Sequence, residues 1–237
     1  MPKISIKAEP IFHIFGFVVT NSLLSSIIVF LLTILIALYY YNESKQVNKG
    51  NLYYLIKFFV KSIYSLFASV FGDKAPIFFP ILFAFFFYIL LQNWFGLLPG
   101  VGTVLINGVP LLRGNDADLN TTLGLALISF FLIQYYSIKY LGAKGYLKKF
   151  FNFTNPIMFF VGILDIVSEV SKIISFSFRL FGNIFAGEVL MTIIAFLIPI
   201  LASFPFLLFE IFVGLIQALV FSMLTAVFIN GAIQEHH

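Results

Sequence analysis

The chain has 237 residues, of which 61% are hydrophobic and 10% charged, and its net charge is +4. A soluble domain carries roughly 25% charged residues, so this composition excludes a large soluble core and indicates an integral membrane protein forming a single membrane domain, 1–237. Cysteine is absent, which excludes a disulfide framework, thiolate catalysis and cysteine metal sites.

The three histidines, His13, His236 and His237, lie near the chain ends, so no histidine relay or metal centre is expected at mid-membrane. No bound cofactor is expected. The excess lysines fall in connections between apolar runs, which is a topological signal rather than a nucleic-acid footprint. No cleavable signal sequence is expected, because the first apolar run exceeds a signal h-region.

A spanning helix needs about 20 apolar residues. Five segments qualify, at about 18–40, 77–98, 121–141, 157–198 and 204–231. The first ends in "LYYY", an interfacial aromatic belt. Prolines punctuate the rest: Pro76 and Pro80 open the second, Pro99 follows it, Pro156 precedes the fourth, and Pro199 and Pro205 mark the last turn. The fourth segment is far longer than one straight span. Segment 51–71 reads as an amphipathic helix lying in the interface, with Lys57 and Lys61 among apolar positions; a sixth span with snorkelling lysines is the alternative.

Connection 42–76 carries five lysines against two acids, net +3, and 139–155 carries four lysines, net +4. Residues 99–120 hold Arg113, Asp116 and Asp118, net −1, and 199–205 holds no charge. The positive-inside rule places the lysine-bearing connections in the cytoplasm and the amino terminus outside. No internal repeat is evident.

The fourth segment carries Asp165, Glu169, Lys172, Arg179 and Asn183 at offsets that share one helical face, with Ser175 one turn before Arg179. A charge at bilayer depth costs about 2.5–3.5 kcal/mol even on insertion scales. Arg179 has no acidic residue three or four positions away, so it needs a carboxylate from elsewhere, or water. Arginine does not release its proton in proteins, so it acts as a fixed cation rather than a relay.

Glu188 lies nine residues past Arg179, on the opposite face. Glu210 and Gln217 share a face of the fifth segment. Counted from the turn between Pro199 and Pro205, Glu188 is 11 residues back and Glu210 five on, a depth difference of about 9 Å that a tilt or a water would have to bridge. Two nearby carboxylates raise one proton affinity and can pass a proton near neutral pH. Gly182 and Gly187 read as close-packing positions, and Asn183 and Gln217 as interhelical hydrogen-bonding groups.

These residues carry a resemblance. "SFSFRLFGNIFAGEVL" at 175–190 resembles the signature of subunit a of the F-type rotary ATP synthase. "AEPIFHIFGFVVTNSLL", "FPILFAFFFYILLQNWFGLLPG", "ADLNTTLGLAL" and "FEIFVGLIQALVFSMLTAVFI" are similar to other stretches of that family, in order along the chain. The resemblance implies an all-α membrane fold, with about five transmembrane helices, an interfacial helix, and a long tilted last hairpin facing a ring of c subunits. It implies ion translocation, of protons or Na⁺, through two aqueous half-channels to and from ring carboxylates, with no active site on this chain. It assigns Arg179 to the essential arginine, Asn183 to the motif asparagine, and Glu188 and Glu210 to the outer half-channel. Gln217 matches the glutamine near the arginine, and Asp165 and Ser175 match inner half-channel positions. Implied partners are the c-ring, peripheral-stalk subunit b, the rest of the complex and lipid, in a bacterial plasma membrane or, alternatively, a mitochondrial inner or thylakoid membrane. The departure is that both outer positions are glutamate, where one is often histidine.

Two other classes compete. A secondary transporter would use Arg179 to hold an anion, but transporter folds commonly carry repeats. A membrane-embedded protease lacks a Ser–His pair or a second intramembrane aspartate here.

Overall fold

The computed structural model describes residues 8–14, 17–102, 104–106, 108–150, 156–197 and 203–234. His236, His237 and Pro199 lie outside the described residues. Six helices dominate: α1 (Asn21–Ser44), α2 (Asn51–Phe71), α3 (Ala75–Gly96), α4 (Leu119–Phe150), α5 (Pro156–Leu197) and α6 (Ser203–Gln234). Five helical stretches are long and apolar enough to cross a membrane, α2 and α3 counting together as one. The chain is an all-α, multi-pass membrane protein.

Two small hairpins were not foreseen. Strands β1 (Pro10–Ile14) and β2 (Phe17–Thr20) pair antiparallel just before α1, so residues 18–20 are strand rather than the start of a span. Strands β3 (Leu105–Ile106) and β4 (Val109–Pro110) pair in the connection between α3 and α4. Thr20 then caps α1, its hydroxyl accepting the Leu23 N–H at 3.2 Å. Asp118 plays the same part for α4, its carboxylate accepting the Asn120 N–H at 3.2 Å.

Helix α3 forms the centre. It is apolar all round, as suits a helix with protein on one side and lipid on the other, and buries Phe78, Leu82, Phe86, Ile89 and Leu90. Helix α6 locks onto it through two side-chain donors: Asn93 Nδ2 donates to the Gly214 carbonyl at 2.9 Å, and Trp94 Nε1 to the Ile211 carbonyl at 3.0 Å. Helix α1 is joined to α3 by a Ser26–Tyr88 hydroxyl pair at 2.8 Å. Helix α2 packs against α3, with ring contacts running from Phe71–Phe78 to Phe59–Phe86. Its Ile63, Phe67 and Phe71 recur every fourth residue and are buried, while Lys57 and Lys61 are exposed.

The ends sort by charge. Asn21 Nδ2 donates to the Pro110 carbonyl at 3.3 Å, bringing the start of α1 to the acidic connection 97–118. At the other end, Asn230 Nδ2 donates to the Val70 carbonyl at 2.8 Å, and Lys74 lies 5.7 Å from the Tyr140 ring centre. Helix α4 outruns the expected 121–141 because it continues through a kink at Gly142, whose φ of 73° and ψ of 156° suit only glycine.

Helix α5 is the outlier. Only 11% of its most apolar window is buried, the smallest share among the five stretches. A long apolar helix left open on one side shapes everything that follows.

Candidate functional site

Helices α5 and α6 run antiparallel, side by side, in a register that specific contacts fix. Lys172 Nζ sits 4.5 Å from the centre of the Phe228 ring. Eleven residues on, Asn183 Nδ2 donates to Gln217 Oε1 at 2.7 Å. Four further on, the Glu210 carboxyl rests directly on Gly187. The absent side chain at 187 makes the space, which is the close packing expected of that glycine. Gly182 differs: no neighbouring atom lies within 4 Å of a Cβ built there.

This register corrects the depth estimate for the two outer acids. The 9 Å offset came from taking the prolines as helix ends. Helix α6 in fact starts at Ser203, with Pro205 inside its first turn, and α5 ends at Leu197. Glu188 is then nine residues from its helix end and Glu210 seven from its own, a difference of about 3 Å at 1.5 Å per residue. The two acids therefore lie at nearly the same depth. Glu188 and Glu210 line one open cavity of about 1220 Å³, together with Glu9, Asn21, Asn93 and Arg113. Arg113 Nη2 donates to Glu188 Oε2 at 3.5 Å. In the sequence Arg113 stands only as a topological charge, and its place in this site is not legible there.

Arg179 points the other way. It is exposed on the outer face of α5, amid exposed Ile174 and Phe178. Its Nη2 donates to Ser175 Oγ at 3.2 Å, one turn back. Among the described residues no carboxylate pairs with it. Asn183 and Gln217 lie one turn further along, between Arg179 and the outer cavity. Gln217 is buried, and its Nε2 has no hydrogen-bond partner among the described residues.

The single polar face expected along α5 divides in two. At 100° per residue the stripe spreads over about 80°, with Arg179 and Glu169 at its edges. The Glu169 edge turns inward: Glu169 accepts from Lys172 at 2.8 Å and from Gln134 Nε2 of α4 at 2.9 Å. Tyr146 donates to Gln134 Oε1 at 2.6 Å. Gln134, Tyr146, Glu169 and Lys172 line a second cavity of about 220 Å³. Asp165 is half-buried and joins neither this cluster nor an ion pair among the described residues. Gln134 and Tyr146 were not singled out beforehand, since lone polar residues in an apolar helix carry no periodic signal.

Among the described residues no group of three His, Cys, Asp or Glu side chains could hold a metal ion. The site is a line of polar groups rather than a reaction centre: two acids and a cation at one end, an amide pair, a surface arginine, then a second polar cluster.

The family model described as ATP synthase A chain matches residues 23–230, which include every site residue above except Glu9 and Asn21. The chain belongs to this family. It is similar to ATP synthase subunit a 1 of Photobacterium profundum, 34% identical over 92% of this chain and 87% of that protein. ATP synthase subunit a of Moorella thermoacetica is 31% identical over 77% of each chain. ATP synthase subunit a of Desulforamulus reducens is 38% identical over 64% of this chain, a match spanning 55% of that protein. Membership of the ATP synthase A chain family places ATP synthesis and ion transport around a membrane-embedded subunit.

Proposed function

We propose that this chain is the ion-translocating stator subunit in the membrane sector of an F-type ATP synthase, with no ATP chemistry of its own. Arg179 faces a rotating ring of c subunits, and a ring carboxylate supplies the counter-charge that this chain does not. The observation that carries the reading is the exposure of Arg179 on the open apolar face of α5, with Ser175 beside it and no carboxylate partner among the described residues. An uncompensated cation facing hydrocarbon is expensive; one facing a carboxylate ring is not.

The large cavity then forms the outer half-channel. Ions, protons or Na⁺, reach Glu188 and Glu210, and the Asn183–Gln217 amide pair relays them to the ring beside Arg179. The smaller cavity around Gln134, Glu169 and Lys172 supports the inner half-channel, with Ser175 and Asp165 along its course on α5. Because Arg179 stays charged, a proton cannot pass between the two half-channels without riding the ring. Helix α2 lies in the cytoplasmic interface, its lysines toward headgroups. Subunit b and the rest of the complex complete the assembly, in a bacterial plasma membrane.

The test is ATP-driven pumping in vesicles bearing the full complex, with wild type or Arg179→Ala and a check for subunit a in the membrane. Loss of pumping with assembly retained is expected. Normal pumping would make Arg179 a structural anchor and overturn the reading.

A further inference from the structure

The connection between α3 and α4 enters the bundle rather than lying over it. Arg113, Asn115, Asp116, Ala117 and Asp118 are all buried. Several contacts hold it there. The Arg113 N–H donates to Ser25 Oγ of α1 at 3.1 Å, and Ser22 Oγ donates to Asn115 Oδ1. At the far end of its side chain, Arg113 Nη2 reaches both the Ala117 carbonyl at 3.4 Å and Glu188 Oε2 at 3.5 Å. The guanidinium is thus fixed at root and tip by groups other than Glu188.

The two partners differ in access. The Arg113 side chain is 7% exposed and that of Glu188 38%. The cation is the scaffold and the acid is the part that the cavity presents. A lysine could lose its charge in such a place; an arginine does not. Three acids share the cavity wall: Glu188 of α5, Glu210 of α6, and Glu9 of the segment before β1. The groups from α1 and α3, Asn21 and Asn93, are neutral. Asp116 and Asp118 flank Arg113 in sequence but do not line the cavity. Among the described residues no cation pairs with Glu210.

We infer that Arg113 is the positioning residue for Glu188: it holds that carboxylate at the cavity wall and balances its charge, leaving Glu210 as the acid of the last hairpin that no cation balances. The inference rests on reading the cavity as the outer half-channel. It separates the two glutamates, which sequence treats alike, into one paired with a cation and one without. Without Arg113, three acids surround one cavity with no cation among them. Like charges at close range favour proton binding, so the pumping profile moves toward alkaline pH.

The experiment measures ATP-driven pumping against pH in vesicles bearing the full complex, for wild type, R113Q, E188Q and R113Q/E188Q, with subunit a quantified in each membrane. The profile of R113Q should move by roughly one pH unit, and the double variant should superimpose on E188Q. An unmoved R113Q profile, or effects that add in the double variant, would each overturn the inference while leaving the half-channel reading intact. Wild-type pumping by E188Q would overturn both.

A second readout covers the case in which R113Q fails to assemble. The chain has no cysteine, so E188C supplies the single thiol on this subunit. Beside Arg113 it should react severalfold faster with a sulfonate-bearing methanethiosulfonate than with its trimethylammonium counterpart, read on subunit a after separation. The opposite preference would overturn the inference.

Discussion

Replacing Gly187 with alanine tests the α5–α6 contact on which the outer acids depend. A Cβ built on Gly187 falls inside the Glu210 carboxyl group, 2.6 Å from Oε1. Glu210 is 6% exposed and lines the large cavity, so its carboxyl can yield by turning into that space, away from Gly187. Either the carboxyl leaves its place or α6 backs away by several tenths of an ångström. Overpacking of this kind costs about 1–3 kcal/mol. The change also brings a gain, because alanine in a helix is about 1 kcal/mol better than glycine. Gly231 isolates that gain: it is helical and exposed, and a Cβ there meets nothing within 4 Å.

The quantity to read is therefore the difference between G187A and G231A, expected at about 1–3 kcal/mol in favour of G231A. Retention of subunit a by the solubilised complex on heating gives the stability comparison, and ATP-driven pumping gives the functional one. G187A should pump poorly. Shortening the acid supplies a rescue: E210D withdraws the carboxyl by one methylene, so G187A/E210D should regain stability, whereas the isosteric E210Q should not restore it. If G187A matches G231A in stability and pumps as wild type, Glu210 does not occupy the space above Gly187, and the pairing of the two outer acids falls with it.

Two further outcomes can be checked in the same preparations. Asp116 is fully buried in the α3–α4 connection, neither carboxyl oxygen has a hydrogen-bond partner among the described residues, and desolvation pushes its pKa up to about 8. A raised acid pKa favours the neutral form in the fold, so its contribution is full below about pH 4 and is lost as pH rises toward 8. Asp116→Asn should come closest to wild type in heat retention near pH 4 and exceed it increasingly up to pH 8, by up to several kcal/mol; a gap that does not widen with pH would refute the burial argument. Gly142→Ala meets no steric obstacle, yet should destabilise by about 1–3 kcal/mol because its φ of 73° and ψ of 156° exclude a side chain; a neutral or stabilising result would mean that α4 runs straight through that point.

What sequence could and could not reveal follows from the range of the forces involved. Runs of 20 apolar residues are local, and α3, α5 and α6 fall within two or three residues of where those runs place them. The Arg179 face is equally local, because one helix repeat shows that no acid of α5 can neutralise it. The strands β1 and β2 were hidden in an apolar stretch that reads as the lead into α1. Gly142 was hidden because one glycine near a helix end is compatible with either a bend or a straight run. The pairing of Glu188 with Arg113 joins residues 75 positions apart, and no periodicity encodes it. One cue existed: Arg113 is the single cation of an outer connection whose net charge is negative, in a chain with two outer acids in its last hairpin.

The prolines mislead about the depth of those acids, because a proline does not have to end a helix. Proline lacks only the N–H that the first turn leaves unsatisfied anyway, so Pro205 fits inside the start of α6. That shift of two residues in α6, and two in α5, turns a 9 Å gap into a shared level. It also sets the rest of the hairpin. Eleven residues separate Lys172 from Asn183 on α5, and eleven separate Gln217 from Phe228 on α6, so both contacts obey one register. Glu210 on Gly187 falls within one turn of that register's continuation. A displacement of α6 by one turn would therefore break the outer acid pair, the Asn183–Gln217 bond and the Lys172–Phe228 contact together. The outer cavity, the amide pair beside Arg179 and the inner cluster are positioned by one helix pair as a unit, so crowding at Gly187 is expected to be felt at Asn183, about 6 Å away along the helix axis.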